Sequence, residues 1–151
     1  MSRNAVVLEI RPLSARERAL WHAIKKIASL TATLGAGEIV EGVTGADYAI
    51  LSRLDELGGD RKALEQRTLG VSLGWERSRL SHQLTRMESR RLVRRVRSGR
   101  SATIELLKHG EATLQRARPG HASLIRGKLL THLTAPEAQM ILSLAEKLPL
   151  I

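Results

Sequence analysis

The chain has 151 residues, with 25 lysines and arginines against 15 aspartates and glutamates, no cysteine and a formal net charge of +10. That length suits one domain with its own core, and the missing thiols exclude disulfides, thiolate metal sites and cysteine-based redox sensing. No apolar run approaches the ~18 residues of a membrane span, and MSRNAVVLEIRPLS lacks the hydrophobic stretch of a signal peptide, so a cytoplasmic protein is expected.

Ser14-Ala15-Arg16-Glu17 has capping-box spacing and predicts a helix start. Leu20, Ile24, Ile27, Thr31 and Leu34 continue at intervals of three and four, giving one apolar face, and Gly35 and Gly37 end the helix. A second start, Thr44-Gly45-Ala46-Asp47, precedes Tyr48, Leu51, Leu54 and Leu57, with Gly58-Gly59 as its close. A short helix is expected over about 61–69.

From Leu80 the apolar set is Leu80, Leu84 and Met87, which leaves Ser78, Ser81, His82, Thr85, Arg86 and Ser89 on the opposite face. Short polar side chains allow close approach to a groove floor, and Arg or His reaches base edges. Trp75 is out of phase with the apolar stripe and reads as a hydrophobic staple packing toward Leu80. Leu92 to Val96 and Ser101 to Leu106 predict a β-hairpin joined by Arg97-Ser98-Gly99-Arg100.

After Lys108 the pattern is helical again to about Leu133, with Pro119-Gly120 expected to kink or break it. Thr134-Ala135-Pro136-Glu137 is a further capping box with proline in the first turn, and Ile141, Leu144, Ala145 and Leu148 line the helix that follows. The apolar stripes at the two ends are wider than a small winged domain covers, which predicts burial between subunits.

Between Trp75 and Arg100 stand nine arginines against two glutamates, Glu76 and Glu88, so 26 residues hold +7 of the net charge. Charge runs are commonly solvated surface. Here the cluster lies on a helix and a hairpin rather than a tail, and arginine suits bidentate contact with phosphate and guanine edges. Nucleic-acid binding is therefore expected, with Arg77, Ser78, Arg79, Ser81, His82, Thr85 and Arg86 on the helix and Arg95, Arg97 and Arg100 on the hairpin as candidate contacts. A sequence-independent nucleoid or RNA-binding architectural protein fits the charge equally and stays open as the alternative. No nucleophile elbow, P-loop or dinucleotide motif occurs, so no enzyme is expected. Nor do the histidines predict a metal site: His121 and His132 are eleven residues apart, ~16 Å along a helix axis.

The order helix, helix, helix, recognition helix, β-wing and two terminal helices resembles the MarR (multiple antibiotic resistance regulator) family of dimeric winged-helix repressors, over about residues 14–148. LGWERSRLSHQLTRMESRRLVRR, Leu73 to Arg95, is similar to the recognition helix and first wing strand of actinobacterial-type members, and TAPEAQMILSLAEKL looks like the family's last dimerisation helix. The resemblance implies a mainly α fold with a small β-wing, a winged helix-turn-helix in a single domain, 1–151. Within it, about 14–36 and 108–148 would supply the dimerisation helices and about 44–107 the DNA-binding lobe. It further implies a homodimeric transcriptional repressor without cofactor on a pseudo-palindrome of double-stranded DNA, with Ser78, Ser81, His82 and Arg86 in the major groove and the wing arginines in flanking minor grooves. A small phenolic or other aromatic ligand is the effector class so implied, with Trp21 and Tyr48 as candidate pocket residues; a constitutive repressor is the other possibility. The chain departs from the family at three points: RSGR has no aspartate beside the tip arginine, Arg91 stands where many members have a helix-ending glycine, and Lys108-His109 replaces the usual start of the fifth helix.

Overall fold

In a computed structural model the chain is described over residues 11–148; the leader reading of the first ten residues lies outside them. The described residues fall into two compact units, which divide between Thr33 and Leu34. The first is essentially α1 (Ala15–Leu34), started by the expected capping box: Ser14 Oγ accepts from the Glu17 amide at 3.2 Å and the Glu17 carboxylate accepts from the Ser14 amide at 2.6 Å. That carboxyl is held at about 2, first by the hydrogen bond from Arg11 and then by those from Ser14. α1 buries none of its residues, and Leu20, Trp21, Ile24 and Ile27 are all about half exposed.

The second unit begins with a short antiparallel pair, β1 (Glu38–Val40) and β2 (Val43–Thr44), followed by α2 (Gly45–Leu57) and a single 3-10 turn, Gly59–Arg61. Then come β3 (Ala63–Glu65), α3 (Gln66–Leu73), α4 (Arg77–Ser89), the hairpin β4 (Val93–Ser98) and β5 (Ser101–Leu106), α5 (Lys108–Lys128), a 3-10 turn at Leu130–His132, and α6 (Ala135–Lys147). The sheet order is β3-β5-β4, antiparallel throughout. Mainly helical with a small sheet, this is the expected winged helix-turn-helix.

Ile50, Leu51 and Leu54 of α2, Leu69 of α3, Leu80, Leu84 and Met87 of α4, Leu92, Val93, Ile104 and Leu114 form one buried cluster. Each such side chain contributes about 1.5–3 kcal/mol of burial. Leu57, expected on the apolar face of α2, is half exposed, and Ile50 takes its place. Thr44 caps α2 with a full capping box to Asp47.

Two expectations are corrected. The short helix over 61–69 is a strand followed by a helix: Lys62 adopts a left-handed φ of 47°, which ends the 3-10 turn and turns the chain into β3 beside β5, so α3 starts only at Gln66 and runs on to Leu73. The break at Pro119-Gly120 does not occur. α5 runs continuously from Lys108 to Lys128 with Pro119 inside it. Proline removes one helical hydrogen bond, but contacts on either side hold the turn: Arg116 donates to the Glu41 carbonyl, Arg118 pairs with Asp55, and His121 stacks on Tyr48. Gly110, early in the same helix, lies so close to the Leu92 carbonyl that a Cβ would meet it at 2.1 Å, which fixes glycine there.

Candidate nucleic-acid interface

α3, a three-residue turn and α4 make the helix-turn-helix, and the same local device closes both helices. After α3, Gly74 takes φ +63°, its amide reaches the Val71 carbonyl, and the Trp75 amide reaches that of Gly70. After α4, Arg91 takes φ +57°, its amide reaches Glu88 O, and the Leu92 amide reaches Met87 O at 3.0 Å. This is a Schellman closure with arginine in the left-handed position glycine usually fills, and Leu92 and Met87 supply its hydrophobic contact within the core. Trp75 immediately precedes the N-cap, Glu76, and packs against the core cluster that contains Leu80, the side on which a staple lies. The Arg79 guanidinium lies over its ring, 4.0 Å from the centroid.

Buried Leu80, Gln83, Leu84 and Met87 turn the other side of α4 outward, leaving Arg77, Ser78, Arg79, His82, Thr85 and Arg86 exposed. Among the described residues no side chain caps its first turn. Thr85 donates its hydroxyl to the Ser81 carbonyl at 3.0 Å, which leaves its oxygen as an outward acceptor. Beside this face, a cleft of about 890 Å³ runs between α3, the start of α4 and the wing. It gathers Arg77, Ser81, Arg95, Arg97 and Arg100 from the expected set; Ser78, Arg79, His82, Thr85 and Arg86 do not line it. Gln66 and Arg67 of α3 also line the cleft and were missed from sequence, because a lone basic residue in a short helix carries no signal until the turn places it there. Two carboxylates, Glu65 and Glu76, stand at the same wall.

The wing turn is only Gly99-Arg100, since Ser98 pairs with Ser101. Gly99 has φ +59° and Arg100 does not, the II′-like pattern that lets two residues reverse a twisted hairpin. Arg97 and Arg100 are exposed near its tip. Three arginines of the cluster are committed internally. Arg94 pairs with Glu105 across the hairpin, Arg90 with buried Asp47, and Arg95 with Glu88. Arg77, Arg79, Arg86, Arg91, Arg97 and Arg100 form no ion pair among the described residues, so six of the nine cations carry charge that no described carboxylate offsets.

Of the two expected pocket residues, Trp21 is half exposed on α1 with Lys25 Nζ 5.5 Å from its ring centroid. Tyr48, on α2, stacks on His121 of α5 at 3.9 Å and 18°. Burial raises the Tyr48 hydroxyl and lowers the His121 imidazole. Among the described residues no group of histidine, aspartate and glutamate is placed to hold a metal, and no helix is long and apolar enough to cross a membrane.

No family model matches the sequence, and no curated protein matches it. Solved structures do. AbsC, a MarR family transcriptional regulator from Streptomyces coelicolor, is 31% identical, with 91% of this chain and 93% of that chain covered at a TM-score of 0.70. The chain belongs to the MarR family of transcriptional regulators. Sco3205, a MarR family regulator from the same organism in complex with DNA, is 26% identical over 91% of this chain and 88% of its own, at a TM-score of 0.77. PcaV of S. coelicolor, in complex with its natural ligand, shares the fold at 23% identity and a TM-score of 0.62, covering 91% of this chain and 96% of that one. In this MarR-family chain, α3 and α4 are thus the helix-turn-helix and β4–β5 the wing.

Proposed function

We propose that this regulator binds double-stranded DNA in a sequence-specific manner as a homodimer, acting as a cytoplasmic repressor on a pseudo-palindromic operator. The observation that carries the reading is the outward face of α4, small and donor-rich, beside six arginines that no carboxylate among the described residues neutralises. Sco3205 in complex with DNA supports it. In this reading Ser78, His82, Thr85 and Arg86 meet base edges, Arg77 and the uncapped amides of the first turn of α4 meet phosphate, and Arg97 and Arg100 meet the backbone or minor groove. An architectural protein that reads no sequence needs no such face. The similarity to AbsC and Sco3205 favours placing the chain with the actinobacterial-type members.

The dimer reading is supported by apolar residues that the chain itself leaves exposed: Leu20, Ile24 and Ile27 on α1, and Met140, Ile141, Leu142 and Leu144 on α6. Sedimentation should give a single dimeric species; a monomer at micromolar concentration contradicts it. For the effector we infer a small aromatic or phenolic ligand, with Tyr48 and Trp21 as candidate contacts; PcaV in complex with its natural ligand supports a small-molecule effector, not its class. Such a ligand acts by its differential affinity for two spacings of recognition helices that must sit about one DNA turn, ~34 Å, apart.

Selection of genomic fragments by the purified protein tests the main reading, and a single palindromic motif is the expected result. Arg86→Ala and His82→Ala should then each lower discrimination against random DNA by about 1–3 kcal/mol, while Arg100→Ala weakens both duplexes. Equal losses on both duplexes for all three substitutions would return the architectural alternative.

A further inference from the structure

Asp47 is more deeply committed than a helix cap requires. Its carboxylate is fully buried at the third position of α2, where Oδ2 accepts from the Thr44 amide at 3.0 Å and from Arg90 Nη2 at 2.8 Å. Oδ1 accepts from Arg90 Nη1 at 3.0 Å and from Gln83 Nε2 at 2.8 Å. Capping needs only the Thr44 contact. The rest ties the start of α2 to α4 and to the residue that follows it.

The consequence lies in the polarity of Gln83. A carboxylate only accepts hydrogen bonds, so the Gln83 amide must present its NH2 to Asp47 and its oxygen to the other side. Gln83 is 5% exposed, so water offers the amide no alternative. On that other side Oε1 accepts from Arg86 Nη2. Arg86 is exposed on the recognition face, and among the described residues this bond is what gives its long side chain a fixed direction.

We propose that Asp47, acting through Gln83, is the positioning residue that sets the direction of the Arg86 guanidinium and thereby the sequence preference of the recognition helix. The proposal rests on the reading of α4 as the base-reading element. Asp47→Asn tests it on near-identical shape. The single oxygen of an asparagine there is claimed by the Thr44 amide and Arg90 Nη2, two donors of which the backbone one cannot turn away. Its NH2 then faces both Gln83 and Arg90 Nη1, so that half of the Arg90 pair is lost as well; the Gln83 amide inverts, and donor meets donor at Arg86, which is released.

The experiment measures binding to the selected site and to a scrambled duplex for the wild type, Asp47→Asn, Gln83→Leu and Arg86→Ala, and for Asp47→Asn and Gln83→Leu each combined with Arg86→Ala. Gln83→Leu keeps the Asp47–Arg90 pair and removes only the relay, so it carries the test if Asp47→Asn fails to fold. The expected result is a loss of roughly tenfold in the ratio of the two affinities for either variant, with no further loss when Arg86 is already alanine. Effects that add to Arg86→Ala, or that fall equally on both duplexes, overturn the relay. A wild type that does not discriminate between the duplexes defeats the reading of the site instead. Side-chain nitrogen NMR signals of Arg86, recorded without DNA, then decide the relay alone: restricted rotation in the wild type and free rotation in both variants are expected, and free rotation in the wild type overturns it.

Discussion

Arg95 of β4 donates through Nη2 to the backbone carbonyl of Ser81 on α4 at 3.1 Å, and only 7% of its side chain is exposed. Its backbone amide reaches Glu88 Oε2 at 3.2 Å and its Nε lies 3.5 Å from Glu88 Oε1. The wing is thereby fastened to the recognition helix by a residue that, from sequence, is equally a candidate DNA contact. Its location argues that its main contribution is to hold the two reading elements at a fixed angle.

Arg95→Ala should therefore lower stability as well as DNA affinity. Losing a buried hydrogen-bonded cation costs about 1–3 kcal/mol, whereas Arg97→Ala, exposed near the wing tip, should stay within about 0.5 kcal/mol of the wild type. Urea unfolding compares them. If Arg95→Ala unfolds with the wild-type midpoint, the fastening role is wrong.

Arg91→Gly should stabilise the protein. Arg91 holds φ +57° at the end of α4 and forms no ion pair among the described residues, so glycine removes a left-handed penalty without losing a salt bridge. The left-handed penalty of about 1–2 kcal/mol, offset by the roughly 0.5–1 kcal/mol that glycine's extra unfolded-state freedom costs, leaves a gain of roughly 0.5–1 kcal/mol, read as a higher urea midpoint at unchanged m-value. An unchanged or lower midpoint contradicts this account of the cap.

DNA affinity should fall steeply with salt. A dimer that neutralises roughly 6 to 10 phosphates gives a log-log slope of about −5 to −9. Because Arg94 is already paired with Glu105, Arg94→Ala should change that slope less than Arg77→Ala. A flat response removes the electrostatic basis of binding.

Stability should weaken in acid through Asp55. Hydrogen bonding from Lys62, and then the contact with Arg118, holds its carboxyl below the ordinary value of 3.8 despite opposing burial. A depressed carboxylate contributes stability that is present above its unfolded pKa and is lost as pH falls through the folded one. Unfolding free energy should therefore drop below about pH 4 more steeply in the wild type than in Asp55→Asn. Parallel curves in urea titrations at pH 2.5 to 6 would show that the pair contributes nothing.

Much of the architecture is written in local pattern. The boxes at Ser14, Thr44 and Thr134 start three helices where the sequence places them, because a capping box is satisfied within four residues and needs no distant partner. Leu80, Leu84 and Met87 suffice to show which face of α4 points outward, since a helix has one phase and those three are buried, with Gln83 between them. What failed depends on partners far along the chain. β3 exists because β5 lies beside it, and Ala63-Leu64-Glu65 has no strand preference of its own. Pro119 stays inside α5 because Glu41, Asp55 and Tyr48 hold the helix on either side. The division of the arginines is equally tertiary: charge counting treats Arg90, Arg94 and Arg95 as free cations, and only the packing brings Asp47, Glu105 and Glu88 against them. Residue type alone determines the sign and place of the charge, whereas burial and pairing, set by contacts up to 43 residues apart, decide which of those charges still face the solvent.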